Sequence, residues 1–240
     1  MNRIAVLSDI HGNLPALEAV VADAEARGCS RFLNLGDILS GPLWPAETAD
    51  YLMARDWPTI AGNHERQLLH IPPARMNDSD AFTWSRLSEA QLRWLDALPA
   101  TLALESLFLC HGTPGSDLEH FLETLEQDRL RRATEAEVAN RLGDRVEPLT
   151  LCGHSHIAGL SRLADGRRVA NPGSVGLQGY LDDHPHSYVV EGEDARARYA
   201  IVEATEITFH AVEYDHAAAA AKAGREGRDD WARALATGKP

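Results

Sequence analysis

The 240-residue chain has few cysteines and fewer basic than acidic residues. Its three cysteines, Cys29, Cys110 and Cys152, are an odd number in a chain of this length, which is not the pattern of a disulfide framework. We therefore expect a reducing, cytoplasmic location. Lysine and arginine number 23 against 36 acidic residues, and the formal net charge is -13. Because affinity for the nucleic acid backbone depends on basic side chains, this balance disfavours a protein that binds duplexes.

Long apolar runs are also scarce. The stretch MNRIAVLSDI has one positive charge and a short apolar run that meets Asp9, so we expect neither a signal peptide nor a membrane span there. We expect no membrane partner, and the sequence implies no protein partner. The content of 44% apolar and 25% charged residues is typical of a globular protein, so we predict one domain over residues 1–240.

Apolar runs of strand length alternate with longer amphipathic stretches, which is the pattern of an α/β protein. The predicted strands are RIAVLS, RFLNLG, PTIAG, TLAL and LFLC with a turn at Glu105 and Ser106, PLTL, two strands joined at Asp165 and Gly166, SYVVE, ARYAIVEA and ITFHAVEY. The predicted helices cover residues 15–27, 46–54 and 88–97, and a polar stretch over residues 117–142.

Two further segments are predicted to be additions to this core. Residues 67–99 are interpreted as a cap-like insertion that ends in a helix capped by Ser88. Residues 216–240 are rich in alanine and charged side chains, and we predict an appended C-terminal helical tail with frayed ends.

The stretch CGHSHIAGL, residues 152–160, spaces two histidines one residue apart directly after an apolar run. In an extended segment successive side chains point to opposite faces, so His154 and His156 would face the same side. They could bind one metal ion together or one ion each. The alternative is a loop with two surface histidines, because the pattern is short. Partners elsewhere in the chain decide between these interpretations.

Potential metal ligands follow nearly every predicted buried strand. They are Asp9 and His11 after IAVLS, Asp37 after FLNLG, Asn63 and His64 after TIAG, and His111 after LFLC. Because sites in open α/β sheets gather at the carboxyl ends of strands, these residues can converge from distant parts of the chain. One such residue would ordinarily be a cap or a solvated loop residue. Five strand ends in a row indicate a metal site.

In this order, the residues resemble the calcineurin-like metallophosphoesterase superfamily, in its small bacterial phosphoesterase branch. The family pattern D-x-H, G-D, G-N-H-[DE], a lone His and G-H-x-H stands here as Asp9 and His11, Gly36 and Asp37, residues 62–65, His111 and residues 153–156. Each block alone is weak, but the ordered set within residues 1–176 is highly specific. The resemblance implies a four-layer α/β/β/α sandwich of two mixed β-sheets flanked by helices, with a dinuclear metal site at the strand ends.

The resemblance also implies which side chains would hold two metal ions. One ion would be bound by Asp9, His11, Asp37 and His156, and the other by Asp37, Asn63, His111 and His154, so that Asp37 bridges. Imidazole together with carboxylate suits divalent transition metals better than magnesium or calcium. The expected cofactors are therefore two divalent transition-metal ions, with manganese first and iron, zinc, cobalt or nickel as alternatives.

The charge of such a centre predicts the reaction. Two divalent ions, two carboxylates and a bridging hydroxide sum to about +1, which would attract phosphate. Two ions about 3.5–4 Å apart can activate a shared water and stabilise an in-line displacement at phosphorus. In the family, the histidine equivalent to His64 contacts the phosphate and can protonate the leaving oxygen. His64 is thus the expected catalytic residue, with Asn63 and His64 binding substrate; alternatively, His64 only orients the site.

The chain departs from the protein Ser/Thr phosphatases of the superfamily. Ser40 stands where their second acid would be, and Ala61 stands where an arginine would precede G-N-H-E. Phosphoprotein substrates are therefore disfavoured, and the residue that would orient His64 stays open. Arg66 and Arg75 are candidates for a phosphate contact; the alternative is that they are exposed side chains that are only solvated. The histidines of DDHPH, residues 182–186, are interpreted as part of a surface turn, with a loop near the site as the alternative.

The predicted function is a metal-dependent phosphoesterase that hydrolyses small phosphate esters by attack of a metal-bridging hydroxide. One alternative is a phosphodiesterase or dinucleoside-polyphosphate hydrolase rather than a phosphomonoesterase, and another is a non-catalytic interaction scaffold. The expected partner is a small phosphorylated substrate. Because residues 67–99 and 117–147 lie between ligand blocks, we expect them to wall the site and to restrict it to small substrates.

Overall fold

The computed structural model describes residues 3–204 and 206–240, so Met1, Asn2 and Thr205 of the predicted domain lie outside the described residues. In chain order the strands are β1 (Arg3–Leu7), β2 (Cys29–Asn34), β3 (Thr101–Leu104), β4 (Leu107–Cys110), β5 (Glu123–Glu126), β6 (Arg129–Arg132), β7 (Leu149–Leu151), β8 (Gly159–Arg162), β9 (Arg168–Asn171), β10 (Tyr180–Asp182), β11 (Tyr188–Val190), β12 (Ala197–Glu203) and β13 (Glu206–Val212). The helices are α1 (Leu14–Ala26), α2 (Pro45–Met53), α3 (Asn63–His70), α4 (Asp78–Trp84), α5 (Glu89–Asp96), α6 (Glu135–Leu142), α7 (His216–Arg225) and α8 (Asp229–Thr237), and a 3₁₀ turn lies at Pro73–Arg75.

Two mixed β-sheets form the centre of the protein. The first has the order β13-β12-β1-β2, in which β1 is parallel to β2 and antiparallel to β12. The second has the order β3-β4-β7-β9-β8, with β4, β7 and β9 parallel to one another and antiparallel strands at both edges. Parallel neighbours place several carboxyl ends on one edge of each sheet, which is where loops can converge.

Alternating side chains produce the layers. In β1, Val6 joins an apolar cluster with Leu109 and Leu151 of the second sheet, whereas Ala5 and Leu7 pack toward the helices on the other face. Period-two alternation places successive residues on opposite faces of a strand, so each central strand serves two apolar layers. The predicted α/β/β/α sandwich is therefore confirmed.

The outer layers follow from amphipathic helices. In α1 the buried side chains Leu17, Val20 and Val21 cover the first sheet, and the side chain of Asn13 caps the helix by accepting the N–H of Ala16. Helix α6 covers the second sheet with Val138 among its buried residues. The apolar stripe of such a helix packs against the sheet. The capping side chain accepts a hydrogen bond from one of the free N–H groups at the helix start.

The strand predicted at PTIAG is wrong in extent. Only one bridge pairs Thr59 with Asn34, supported by hydrogen bonds from Asn34 N to Pro58 O and from Ile60 N to Asn34 O, each 3.0 Å long. Strand β2 ends at Asn34, and the chain then turns toward Asp37, so residues 61–62 of the predicted strand have no β2 residue beside them to pair with.

The helix predicted over residues 117–142 is also wrong over most of its length, up to residue 134. Strands β5 and β6 form a hairpin there, and only Glu135–Leu142 is helical. Opposite charges face each other across the hairpin, as in the ion pair of Arg132 Nη1 and Glu123 Oε1 at 2.6 Å. Such cross-strand pairs stabilise a polar hairpin whose composition also suits a helix. Strand β10, which pairs with β11, was not predicted.

The two predicted additions have regular structure. Helix α5 begins after Ser88, whose side chain accepts the N–H of Gln91 at 3.3 Å, so the predicted cap is confirmed. The C-terminal segment forms two helices rather than one frayed helix, and Trp231 and Leu235 of α8 are buried against Leu43 and Leu177. Within residues 3–204 and 206–240, the structure has no helix of the length and apolarity that a bilayer crossing needs.

Candidate metal centre

The predicted ligands lie together where the strands of both sheets end. Asp9 and His11 follow β1, Asp37 follows β2, His111 follows β4, and His154 and His156 follow β7. These side chains form two groups in which all candidate ligand atoms lie within 4.8 Å of one another: Asp9, His11 and His156, and Asp37, His111 and His154. Asn63 starts α3 and lines the same cavity as Asp37 and His154. The structure thus brings all seven predicted metal ligands to one place.

The two groups adjoin. His11 Nε2 lies 3.1 Å from His156 Nε2, which in turn lies 3.4 Å from Asp9 Oδ1. In the second group His111 Nε2 lies 3.1 Å from Asp37 Oδ2, and it is 3.9 Å from Asp9 Oδ1 of the first. Asp9 and Asp37 are therefore both near the boundary between the groups.

Each of the four histidines in the two groups has one ring nitrogen that faces a backbone carbonyl oxygen. A carbonyl oxygen only accepts, so each of these nitrogens carries a hydrogen, and in a neutral ring the other nitrogen then has the free lone pair. The distances are 2.8 Å from His11 Nδ1 to Ser40 O, 2.8 Å from His111 Nδ1 to Leu35 O, 2.5 Å from His156 Nδ1 to Leu177 O and 3.1 Å from His154 Nε2 to Leu118 O. Backbone contacts of this kind orient imidazoles for metal binding.

The backbone at the site has an uncommon conformation. Five of the eight described non-glycine residues with positive φ belong to the two groups: Asp9 (55°), His11 (52°), Asp37 (53°), His154 (68°) and His156 (60°). Side chains with a Cβ rarely adopt the left-handed region, and doing so costs on the order of 1–3 kcal/mol each. Hydrogen bonds between loops hold it, including Asp9 N to Gly36 O and His11 N to Asp37 O, both 3.0 Å.

Several buried polar atoms at the site have no hydrogen-bond partner. They include Asp9 Oδ2, Asn63 Oδ1 and His111 Nε2, the last of which lies beside Asp37 without the geometry of a hydrogen bond. A buried polar atom that lacks a partner costs roughly 1–3 kcal/mol. Metal ions would satisfy these atoms, so the residues present fit a metal pair.

The carboxylates and two of the histidines influence one another strongly. Burial alone would lower the pKa of His111, but the carboxylates of Asp37 and Asp9 raise it to about 10. Burial opposes ionisation of Asp37, yet His111 and His64 hold the pKa of its carboxyl well below the usual range. Burial also opposes ionisation of Asp9, yet His156 and His111 lower the pKa of its carboxyl. Both carboxylates are therefore charged at neutral pH, as metal ligands must be.

His11 and His154 are held in the neutral form. Burial and the neighbouring His156 lower the pKa of His11 to about 3. Burial and the neighbouring His111 lower that of His154 to about 4. Neutral imidazoles with a free lone pair are the form that binds metal ions.

His64 lies next to the two groups with a different environment. Its Nδ1 lies 2.8 Å from Oδ1 of Asp80, and its backbone N–H donates to Asp37 Oδ1 at 3.0 Å. Burial would lower the pKa of His64, but Asp37 and Asp80 raise it to about 9. Sequence reasoning missed Asp80, because it belongs to no motif and lies in the segment interpreted as an insertion.

The site opens into a cavity of about 930 Å³. Asn77, Asp78 and Ser79 of the 67–99 segment line it, as do Leu118 and Asp128 of the 117–147 segment, so both segments border the site. The remaining walls come from Tyr180, Asp182, Asp183, His184 and Tyr188 in and around the β10–β11 hairpin and from Trp231 of α8.

Three observations concern residues outside the motif blocks. His184 of DDHPH lines the cavity, which is the loop near the site that was kept as the alternative. Among the described residues that line it, Arg228 is the one arginine, whereas Arg66 pairs with Asp117 at 2.6 Å and Arg75 is elsewhere. The ring of Trp231 lies 5.8 Å from that of His11. Its place near the site could not be predicted from the sequence, because the C-terminal tail matches no motif.

Two mixed sheets with adjoining groups of imidazoles and carboxylates at one edge define an α/β sandwich with two candidate metal-ligand groups. The calcineurin-like phosphoesterase superfamily domain matches residues 2–195, and the chain belongs to this superfamily. The resemblance noted in the sequence is thereby confirmed.

Other proteins are similar to this chain in sequence or in fold. The chain is 27% identical over 217 residues to the uncharacterized protein MJ0912 of Methanocaldococcus jannaschii, covering 87% of this chain and 82% of that protein. Its fold is similar to that of a metallophosphoesterase from Sphaerobacter thermophilus, with a TM-score of 0.78, 26% identity and 99% of each chain covered. It is also similar to the hypothetical protein PH1004 from Pyrococcus horikoshii OT3, with a TM-score of 0.77, 20% identity and 99% of each chain covered.

Proposed function

We propose that the protein is a dinuclear metal-dependent phosphoesterase that hydrolyses small phosphate esters. The observation that carries this proposal is the pair of adjoining three-residue groups, whose candidate ligand atoms lie within 4.8 Å of one another in each group. Membership of the calcineurin-like phosphoesterase superfamily supports it. A complete set of ligands also favours an enzyme over an interaction scaffold, which would not need one.

The proposed ligands follow from the two groups. One ion would be held by Asp9, His11, Asp37 and His156, and the other by Asp37, Asn63, His111 and His154, with Asp37 shared. Divalent transition ions suit this mixture of imidazole, carboxylate and amide, and manganese is our first choice before iron, zinc, cobalt or nickel. Activation of water for in-line attack at phosphorus, with charge stabilisation on the phosphate oxygens, is the chemistry that such a pair supplies when bound.

His64 is proposed to be the catalytic proton donor. A carboxylate accepts hydrogen bonds only, so the His64 Nδ1 facing Asp80 carries a hydrogen, and Nε2 is the nitrogen available to substrate. The raised pKa of about 9 supports a protonated imidazole at neutral pH, which could give a proton to the leaving oxygen. Asn63 and His64 together are proposed to bind the phosphate, since both line the cavity.

The charge of the cavity supports a substrate with few phosphates. Besides Asp37, five aspartates line it: Asp78, Asp128, Asp182, Asp183 and Asp230. Arg228 lies among them but is paired with Asp230 at 2.7 Å. A chain of several phosphates would meet like charge there, so we place the dinucleoside-polyphosphate alternative behind phosphomonoesters and phosphodiesters. The volume of about 930 Å³ leaves room for an organic group beside one phosphate.

Metal analysis and a paired assay test the proposal. The purified protein, loaded with manganese, is offered an aryl phosphomonoester, a bis-aryl phosphodiester and a dinucleoside polyphosphate. We expect two ions per chain, hydrolysis of the first or second compound, and slower hydrolysis of the third.

We also propose a cytoplasmic location, which the three unpaired cysteines support.

Alanine variants supply the control. Asp37→Ala, His111→Ala and His156→Ala should each lose bound metal and at least about 1,000-fold of the rate, because each removes a proposed ligand. His70→Ala is the matched variant, since His70 is an exposed residue at the end of α3 outside the cavity. An unchanged rate in the three ligand variants would exclude the proposed centre.

A further inference from the structure

Asp80 is a buried carboxylate that touches the proposed proton donor. Its side chain is 0% exposed, and Oδ1 lies 2.8 Å from His64 Nδ1. The hydroxyl of Ser40 donates to the same oxygen. Asn77 Nδ2 donates to Oδ2 at 2.7 Å, so both oxygens have partners. Buried carboxylates need such partners, and three separate chain segments provide them here.

Helix α4 is fixed on two sides. Toward the site, Thr83 Oγ1 accepts the N–H of Gly41 at 3.1 Å, which ties α4 to the loop that follows Asp37. Toward the tail, Arg228 Nη1 donates to Ser79 Oγ at 2.9 Å. The position of Asp80 relative to His64 is therefore set by the packed structure around α4 and not by the two side chains alone.

Ser40 is not an acid, and its hydroxyl donates to Asp80 instead of contacting His64 as a carboxylate would. A carboxylate at Nδ1 fixes the ring orientation and keeps the hydrogen on that nitrogen, so that Nε2 faces the reaction. An acid from α4 thus reaches the histidine that Ser40 cannot orient by itself.

We propose that Asp80 is the positioning residue of His64 and that the 67–99 segment supplies it as a part of the reaction machinery. This inference rests on the proposed function. The competing role for Asp80 is a structural one, as an acidic residue in the first turn of α4 that stabilises the helix start. The two roles differ in their effect on leaving groups.

Asp80→Asn tests the proposal with an isosteric change. The kcat and KM of wild type and variant are measured on a series of aryl and alkyl phosphates, from strongly acidic phenols to alkyl alcohols. Good leaving groups depart without a proton, whereas alkyl oxygens need one. We expect kcat to fall about 10–100-fold for alkyl esters but less than about 3-fold for the most acidic phenol, with little change in KM. His64→Ala should show the same selective loss, and the double variant should lose no more than His64→Ala.

Asp96→Asn is the matched control, because Asp96 is an exposed residue at the end of α5 in the same segment. Bound metal and the thermal midpoint are measured for every variant. If Asp80→Asn does not fold, Ser40→Ala removes one partner of Asp80 and should give a smaller loss with the same dependence on leaving group. A loss that is equal for all leaving groups, or no loss, overturns the role of Asp80. A wild-type protein that hydrolyses none of the esters overturns the proposed function instead.

Discussion

The carboxylate of Glu65 accepts the backbone N–H of Asp37 at 2.8 Å. It also accepts the N–H groups of Gly62 and Ile38, each at 2.8 Å, and it is fully buried. Glu65 thus joins the loop after β2 to the start of α3, which are two of the motif blocks that are far apart in the sequence. The last residue of the G-N-H-E block holds the proposed bridging ligand in place without being a ligand itself.

Replacing Glu65 should weaken metal binding. In Glu65→Gln an amide N–H₂ group replaces one oxygen and faces backbone N–H groups that need an acceptor. We expect metal affinity to fall about 10–100-fold, as is usual when a group that orients ligands is changed. Competition with a metal-sensitive dye measures it. Glu89→Gln, at an exposed position of α5, should bind metal as the wild type does, and equal affinity for Glu65→Gln would contradict this role.

Gly62 must stay small because of Asp37. A methyl group on Gly62 would overlap the Asp37 carboxylate and lie 2.7 Å from its backbone nitrogen. Gly62→Ala should therefore lower the free energy of unfolding by about 1–3 kcal/mol and reduce metal content. Gly115→Ala is the comparison, since nothing lies within 4 Å of its added methyl group. Denaturant unfolding and metal analysis of both variants decide whether the crowding at Gly62 matters.

The fold and the residues of the site were predictable because their signals are local. Each central strand is a short apolar run, and a polar residue such as Asp9 or His111 directly follows it. Strand alternation and the preference of sites for carboxyl ends of strands then predict convergence without knowledge of the tertiary structure. The order of the motif blocks indicated the family, and the resemblance to the family implied the layers of the sandwich.

Contacts from outside the motifs were not predictable. Asp80 reaches His64 through the packing of α4, and Trp231 reaches His11 from the end of the chain. Neither position has a pattern that distinguishes it from an ordinary helical residue. The β5–β6 hairpin was missed for a related reason, because its cross-strand charge pairs depend on register, which composition does not show.

Removal of metal should destabilise the protein. The buried atoms Asp9 Oδ2 and Asn63 Oδ1 have no hydrogen-bond partner, so binding that occurs only in the folded state raises stability. Free metal at a hundred times its Kd adds about 2.7 kcal/mol, which for a chain of this size shifts the thermal midpoint by roughly 5–10 °C. Calorimetry before and after chelation measures the shift, and added manganese should reverse it. His111→Ala should show little response to chelator; a full response would place the bound metal elsewhere.

Alkaline pH should also destabilise the fold, for reasons independent of the metal. Burial raises the pKa of the Cys110 thiol, and that of Cys152, well above the ordinary value of 9.0, and it raises the pKa of Tyr214 to about 12. A raised pKa means that the folded chain retains protons which the unfolded chain releases. The stabilisation is therefore complete below about pH 9 and is lost as the pH rises toward the raised values. Denaturant unfolding of the chelated protein should show a free energy of unfolding that declines above about pH 9. In Cys110→Ala the decline should be shallower, and a stability that is constant or rises above pH 9 would show that these groups are not buried as described.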